Sequence, residues 1–164
     1  MSWVNECRNK CKLIKHIGQD FIWQEKPNRA NYLVASSNLL DNDHQVIPDL
    51  YLMGEYRPLK KGRGEIFTIA LQFFIKPGEL RRVFMLESYP SYIPSHRDKD
   101  GQIYGPHVHL GDHRLEQVVK SLHAKEDGLP FSHWAQRFAR HAKVYSGANT
   151  SGGIPGPFLG DLFG

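Results

Sequence analysis

Residues 65–75 read EIFTIALQFFI, with mostly apolar side chains at both sets of alternating positions. Successive side chains of a strand point to opposite faces of a sheet, so this segment is covered on both sides. It therefore predicts a central strand. The segments 49–57 and 79–89 also read as strands, and a Lys-Pro-Gly-Glu turn at 76–79 joins the second strand to the third. Three consecutive strands with short connections predict an antiparallel meander.

Segments with helical periodicity flank this meander. Apolar residues recur at helical spacing over 3–16, and two C-terminal helices are predicted, one capped by Asp112 and one by Ser132. The polar, turn-rich stretches 36–45 and 89–106 are predicted to be loops. This pattern indicates the α+β class, an antiparallel sheet of about four or five strands packed by the N-terminal helix and the two C-terminal helices.

Length and composition indicate one domain. The chain has 164 residues, of which 40% are hydrophobic, enough for a single core. Residues 1–145 are predicted to form a single α+β domain, and residues 146–164 a Gly- and Pro-rich tail with an apolar end. No apolar run approaches the roughly 18–20 residues of a membrane helix, and the N-terminus carries no apolar signal region. We expect a cytoplasmic protein with no membrane partner, in which Cys7 and Cys11 are reduced.

The charge balance is mildly basic. Lys and Arg number 21 against 17 Asp and Glu, which gives a formal charge of +4 and a pI near 9.1. Such a balance permits a polyanionic partner such as RNA, but does not require one.

The stretch GPHVHLGDHR, residues 105–114, concentrates three histidines and an aspartate in ten positions. In an extended segment, His107 and His109 point to the same face. Two imidazoles so placed can ligate a metal ion, or they can transfer protons near neutral pH. Alternatively, they are half-exposed polar residues at a strand end. The residues that could complete a metal site are His96, His113, Asp112 and His44.

Proton transfer by histidine suits the cleavage of RNA, which supplies its own 2′-hydroxyl nucleophile. No cofactor is needed for this chemistry. The candidate catalytic residues are His107, His109, His96, Arg97 and Tyr104. Tyr92 could stack on an unpaired base, and phosphate contacts are expected from Lys60, Lys61, Arg63, Arg81, Arg82 and Lys99.

The segment SHRDKDGQIYGPHVHLGD, residues 95–112, follows the predicted strands and resembles the histidine-rich segment of the TumE-like family of bacterial toxins. The resemblance covers roughly residues 46–115. It implies an antitoxin-neutralised toxin that acts on RNA. It also places His96, His107 and His109 in the family's histidine-rich region, with Glu55 and Arg97 nearby in the pattern.

The leading functional hypothesis is therefore a small intracellular RNA-targeting, toxin-like endoribonuclease that uses the His-x-His strand for acid–base cleavage. One alternative is a non-enzymatic inhibitor of phage or defence-system type. It would bind a protein such as an antitoxin or host target through the basic loops and the apolar tail. The other alternative is a metal-dependent enzyme with histidine ligands.

Overall fold

The computed structural model describes residues 1–18, 21–98, 101–115, 129–147 and 152–157. These residues contain the helices α1 (Trp3–Lys12) and α2 (Phe131–Ala142). The strands are β1 (Lys15–Ile17), β2 (Gln24–Glu25), β3 (Leu33–Leu40), β4 (Val46–Pro58), β5 (Glu65–Lys76), β6 (Glu79–Ser88), β7 (Pro94–Asp98), β8 (Gly101–Tyr104), β9 (His107–Leu110), β10 (His113–Leu115) and β11 (Val144–Tyr145). The predicted α+β class is confirmed, with a helix near each end of the described chain. Neither of these two helices is long and apolar enough to cross a membrane.

Nine of the described strands form one curled sheet, so the predicted number of four or five strands is too low. Its order is β10-β9-β6-β5-β4-β3-β1-β11, and β2 pairs with β3. All neighbours run antiparallel except β1 and β11, which are parallel. The predicted meander is confirmed as β4, β5 and β6. β7 and β8 form a separate hairpin, after which β9 returns to pair with β6.

One face of the sheet carries the hydrophobic core. Leu86 on β6 pairs with Ile69 on β5 and with Val108 on β9, and all three are buried. The two helices pack on this side, where the rings of Phe84 and Phe138 lie 5.3 Å apart. Because side chains alternate along a strand, the intervening residues point to the opposite face.

The opposite face carries a row of polar residues across four strands. Glu55 on β4, Thr68 on β5, Glu87 on β6 and His107 on β9 are successive register partners. Directly opposed residues of antiparallel strands have Cβ atoms about 4.5–5.5 Å apart. The sheet therefore brings the histidine segment into line with two carboxylates.

The N-terminal helix is shorter than the predicted 3–16. It ends at Lys12, since Leu13 already has extended backbone angles. Lys15 is fully buried and donates hydrogen bonds to the carbonyl oxygens of Lys10 and Leu13. The last turn of a helix leaves carbonyl groups without backbone partners, and a lysine near the C-terminus can satisfy them.

The loop predicted at 36–45 is wrong in its first half, because β3 continues through it with Leu39 fully buried. The polar Ser-Ser-Asn sequence conceals a strand that pairs with β4. The turn begins at Asp41, whose carboxylate accepts hydrogen bonds from the backbone N–H groups of Asp43 and Gln45.

The loop prediction for 89–106 is also wrong in part, because this segment contains the β7–β8 hairpin. The helix predicted to begin at Asp112 is wrong at its start. His113–Leu115 instead form β10, which pairs with β9. The rest of that predicted helix, 116–122, lies outside the described residues.

The last predicted helix is present as α2, but its predicted cap is wrong. Pro130 is the N-cap and Ser132 lies inside the helix. Trp134 and Phe138 are buried, whereas Tyr145 belongs to β11.

Part of the predicted tail packs on the core. Ile154 is buried, and the indole N–H of Trp23 donates to the Pro155 carbonyl at 3.0 Å. The apolar residues at 158–163 lie outside the described residues.

Candidate functional site

Glu87, His107 and His109 meet on the polar face because β6 pairs with β9. Glu87 is the register partner of His107, and Met85 is the partner of His109. Residues two apart in a strand share a face, so the carboxylate and both imidazoles lie on one side. The shared face expected for the two histidines is present.

His96 reaches the same point from the β7–β8 hairpin. Its Nε2 lies 2.9 Å from Glu87 Oε2. Its ring stands edge-on to the rings of His107 and His109, with centroids 4.9 and 5.1 Å away. The His96 side chain is 33% exposed, so it forms the outer wall of the site.

All three imidazoles converge on a single carboxylate oxygen. Glu87 Oε2 lies 2.8 Å from His107 Nε2 and 3.0 Å from His109 Nε2. The four potential ligand atoms of Glu87, His96, His107 and His109, here called the histidine–glutamate cluster, all lie within 4.8 Å of one another. His107 and His109 are 1% and 2% exposed. Glu87 is 8% exposed. A carboxylate withdrawn from water in this way requires a proton, a cation or a metal ion as its partner.

Both ring nitrogens of His107 face oxygen atoms that accept hydrogen bonds. Nδ1 lies 3.0 Å from the Gly105 carbonyl oxygen, which can only accept. The Ser95 hydroxyl, 3.4 Å from Nδ1, already donates to the Ile103 carbonyl. Glu87 Oε2, 2.8 Å from Nε2, also only accepts, so a neutral ring has one N–H for two acceptors, and a cation bound at Nε2 would place that hydrogen on Nδ1.

The cluster changes the acid–base behaviour of its members. Burial acts to raise the pKa of Glu87, but the three imidazoles outweigh it and hold that pKa well below its usual range. Burial lowers the pKa of His109, and the contact with Glu87 offsets only part of this effect. Nδ1 of His109 is buried without a hydrogen-bond partner among the described residues. Both shifts favour an ionised carboxylate beside a neutral imidazole.

Two cavities adjoin the cluster. The inner pocket has a volume of about 140 Å³ and is lined by Tyr32, Glu55, Arg57, Ile66, Thr68, Glu87 and Tyr89. The outer groove has a volume of about 720 Å³, and Arg63, Tyr89, Tyr92 and Pro106 are among its lining residues. Tyr89 lines both cavities, and its ring centroid lies 6.0 Å from that of His107.

Tyr104, another of the predicted catalytic residues, does not join the cluster. The Tyr104 hydroxyl donates to the Gln102 side chain, and Tyr104 is exposed. Arg97 lies in β7, but its side chain is outside the described residues.

The predicted phosphate contacts fall into separate groups. Lys60 and Lys61 are exposed in a short helical turn, and Arg63 lines the outer groove together with Tyr92, whose hydroxyl donates to the Arg63 carbonyl. Lys99 lies outside the described residues.

Two further arginines of the predicted phosphate contacts lie near the N-terminal end of β6, away from Glu87. Arg81 Nε lies 3.5 Å from Glu79, and Arg82 donates to the Gly111 carbonyl at 2.7 Å. Arg82 is engaged in holding the end of β9.

The residues proposed to complete a metal site behave differently from one another. His96 joins the cluster, whereas His44 and Asp112 are exposed in turns. The His113 side chain is outside the described residues.

Sequence reasoning missed the central carboxylate. Glu87 follows the apolar run Val83–Leu86, and a single acidic residue at the end of such a strand is the signal that could have found it. Its pairing with His107 could not be read locally, because a hairpin separates the two strands. Arg57 was missed because its strand, β4, is separated from β6 by β5. The Gly105 carbonyl lies only two residues before His107, but residue identity alone does not give its direction.

Comparison with protein-family models, with curated proteins and with solved structures gives no match. The resemblance to the TumE-like toxins stays a prediction.

Gly105 offers a test of the proton position on His107. Its φ of +71° is strained for any residue with a Cβ, so Gly105→Ala is expected to lower the free energy of unfolding by about 1–2 kcal/mol. Gly78 has a φ of +82° in the β5–β6 turn, so Gly78→Ala is a matched control with similar strain far from the cluster.

Imidazole ¹⁵N NMR should report His107 protonated at Nδ1 in the wild type. We expect Gly105→Ala to change this signal and Gly78→Ala to leave it unchanged. A wild-type His107 with a bare Nδ1 would contradict the assignment.

Proposed function

We propose that the protein is a metal-dependent enzyme that binds one divalent transition-metal ion in the histidine–glutamate cluster. The observation that carries the proposal is the orientation of His107. A neutral His107 has one N–H for two acceptors, the Gly105 carbonyl oxygen and Glu87 Oε2, which lie 3.0 and 2.8 Å from its two ring nitrogens. One of these contacts therefore lacks a hydrogen, and a cation bound at Nε2 would supply the positive partner of Glu87. Metal-binding histidines characteristically donate their other N–H to a carbonyl in this way.

The number of histidines favours a metal ion over a proton. A second proton on His107 would also satisfy both acceptors, giving a buried ion pair with Glu87. That pair needs one imidazole, whereas three converge on the same oxygen atom. Three imidazoles and one carboxylate match the ligand number of a mononuclear tetrahedral site, and an ion that takes five or six ligands would keep positions for water or substrate.

The distances allow an ion to enter with small side-chain movements. Ligands at about 2.0–2.2 Å from one tetrahedral ion lie roughly 3.4 Å from each other. The cluster atoms lie within 4.8 Å of one another, so the three nitrogens would move inward by about 1 Å at most. Glu87 Oε2 lies between the nitrogens, so it would move outward by a larger distance, about 2 Å, to become the fourth ligand.

The donor set indicates the chemistry. Imidazole nitrogens suit zinc, iron, nickel and copper, and the carboxylate adds an oxygen ligand that zinc and ferrous iron accept. A divalent ion with one carboxylate ligand keeps a net positive charge, so it polarises a bound oxygen and lowers the pKa of bound water. The inner pocket adjoins Glu87, and we assign it the position of a fifth ligand in an ion that takes more than four.

The first test is the metal content of the tag-free protein purified without chelators. We expect close to one zinc or iron per chain by elemental analysis. Glu87→Gln and His107→Ala should lower the content at least tenfold, because second-sphere and ligand losses typically weaken metal affinity by this factor or more.

His44→Asn is the matched control, since His44 is exposed and its positive φ is tolerated by asparagine. This variant should retain the wild-type metal content. A wild-type protein that is folded, takes up no metal on incubation with zinc or ferrous iron, and is not stabilised by either ion contradicts the proposal.

The ribonuclease remains a second candidate function, and the outer groove is the observation that favours it. The groove begins at Tyr89 beside His107 and extends to Arg63 and Tyr92. Aromatic rings and a basic side chain in one groove suit the stacking and phosphate contacts of a single RNA strand. The neighbouring Lys60 and Lys61 would add phosphate contacts.

The ribonuclease hypothesis predicts cleavage of an end-labelled, mostly single-stranded RNA. In excess EDTA, the metal-free form of the hypothesis expects cleavage by the wild type and by His44→Asn, but none by the double variant His107→Ala/His109→Ala. Cleavage only after addition of a metal ion would instead assign RNA to the metal-dependent enzyme. Absence of cleavage under both conditions contradicts a ribonuclease.

A further inference from the structure

The inner pocket has a polar lining that the proposed metal site does not use. Arg57, Thr68 and Tyr89 present hydrogen-bonding groups to this cavity, and Glu87 forms part of its wall. The cavity therefore connects a guanidinium and a phenol to the edge of the histidine–glutamate cluster.

The register of the sheet explains why these groups share one cavity. Thr68 stands between Glu55 and Glu87 in the polar row, and Arg57 is the partner of Ile66, two residues further along the same face. Neighbouring strands lie about 4.8 Å apart, so Arg57 on β4 and Glu87 on β6 are separated by roughly 10 Å across the sheet. A long arginine side chain on one side and a metal on the other leave room for a small molecule between them.

Charge distinguishes Arg57 from the other lining residues. Glu55 is already partnered, because Lys26 Nζ lies 3.8 Å from its carboxylate and the Tyr32 hydroxyl donates to it at 2.7 Å. Arg57 donates to the Tyr89 hydroxyl at 3.3 Å. A guanidinium has five N–H donors, so this contact leaves others for a ligand. Among the described residues that line the pocket, Arg57 alone carries a positive side chain.

The chemistry of Arg57 and Tyr89 favours a carboxylate as the ligand. The planar guanidinium matches a carboxylate in a two-point contact. The Tyr89 hydroxyl accepts from Arg57 and keeps its own hydrogen for donation to the same ligand.

The volume limits the size of the ligand. A cavity of about 150 Å³ accommodates a molecule the size of benzene. The inner pocket, at about 140 Å³, therefore suits a ligand of roughly four to eight non-hydrogen atoms. A nucleotide is too large for it.

We propose that the inner pocket binds a small carboxylate, whose carboxylate group is held by Arg57 and Tyr89 and whose other end faces the cluster. The contact with Arg57 stands independently of any metal. The approach of a second ligand oxygen to a metal ion rests on the function proposed above.

The test uses glycolate and its neutral analogue glycolamide, each with five non-hydrogen atoms. Isothermal titration calorimetry on the full chain, with the metal content of each sample measured in parallel, should detect glycolate binding at least tenfold stronger than glycolamide binding. Arg57→Gln should weaken glycolate binding by about tenfold to a hundredfold, as expected for loss of a charged hydrogen bond. Tyr89→Phe should weaken it severalfold.

Arg140→Gln is the matched control, because Arg140 is an exposed arginine of α2, which packs on the other side of the sheet. It should leave glycolate affinity unchanged. Equal affinity for glycolate and glycolamide, equal glycolate affinity in wild type and Arg57→Gln, or no glycolate binding at all would overturn the pocket assignment.

Cobalt substitution separates this result from the metal proposal. In cobalt-loaded protein, glycolate should change the visible absorption of the ion if its second oxygen approaches the metal. A protein that binds glycolate through Arg57 but takes up no metal overturns the metal site and retains the carboxylate pocket. A protein that holds metal but does not bind glycolate overturns the carboxylate pocket and retains the metal site.

Discussion

The convergence of three imidazole nitrogens on one buried oxygen of Glu87 is the interaction on which the other features of this face depend. An ionised carboxylate withdrawn from water is strongly destabilised unless a positive partner compensates it. Removing one member of such a buried group costs about 3–5 kcal/mol, because the remaining charge has no partner. Stability and function are therefore coupled here, and a conservative variant such as Glu87→Gln separates them better than truncation.

The cluster is assembled by three different levels of structure. Alternation along β9 places His107 and His109 on one face, and the β6–β9 register sets Glu87 opposite His107. The β7–β8 hairpin then brings His96 to the cluster, while the Gly105 carbonyl oxygen lies 3.0 Å from Nδ1 of His107. Beside this fixed group lies a pocket with the opposite character, partly open and lined by groups with unused donors. A rigid cluster next to an accessible polar pocket is the arrangement expected of a binding or catalytic site.

Local sequence patterns predicted what depends on neighbouring residues. The meander followed from apolar alternation and from a Lys-Pro-Gly-Glu turn, and the shared face of His107 and His109 followed from their spacing. Features that depend on distant partners were missed. β3 was hidden by its polar sequence until β4 paired with it, and α1 ended early because the buried Lys15 satisfies its last carbonyls. Glu87 was missed as a site residue because its partners lie across a hairpin whose return to β6 no local pattern encodes.

The most direct test of the metal-centre account is anomalous X-ray diffraction from crystals of the protein loaded with zinc, recorded on both sides of the zinc absorption edge. The account predicts one strong anomalous peak, about 2.0–2.2 Å from Nε2 of His96, His107 and His109 and from a carboxylate oxygen of Glu87. A cluster without an anomalous peak, with Glu87 still in direct contact with the three imidazoles, would contradict it and assign the cluster to a buried ion pair.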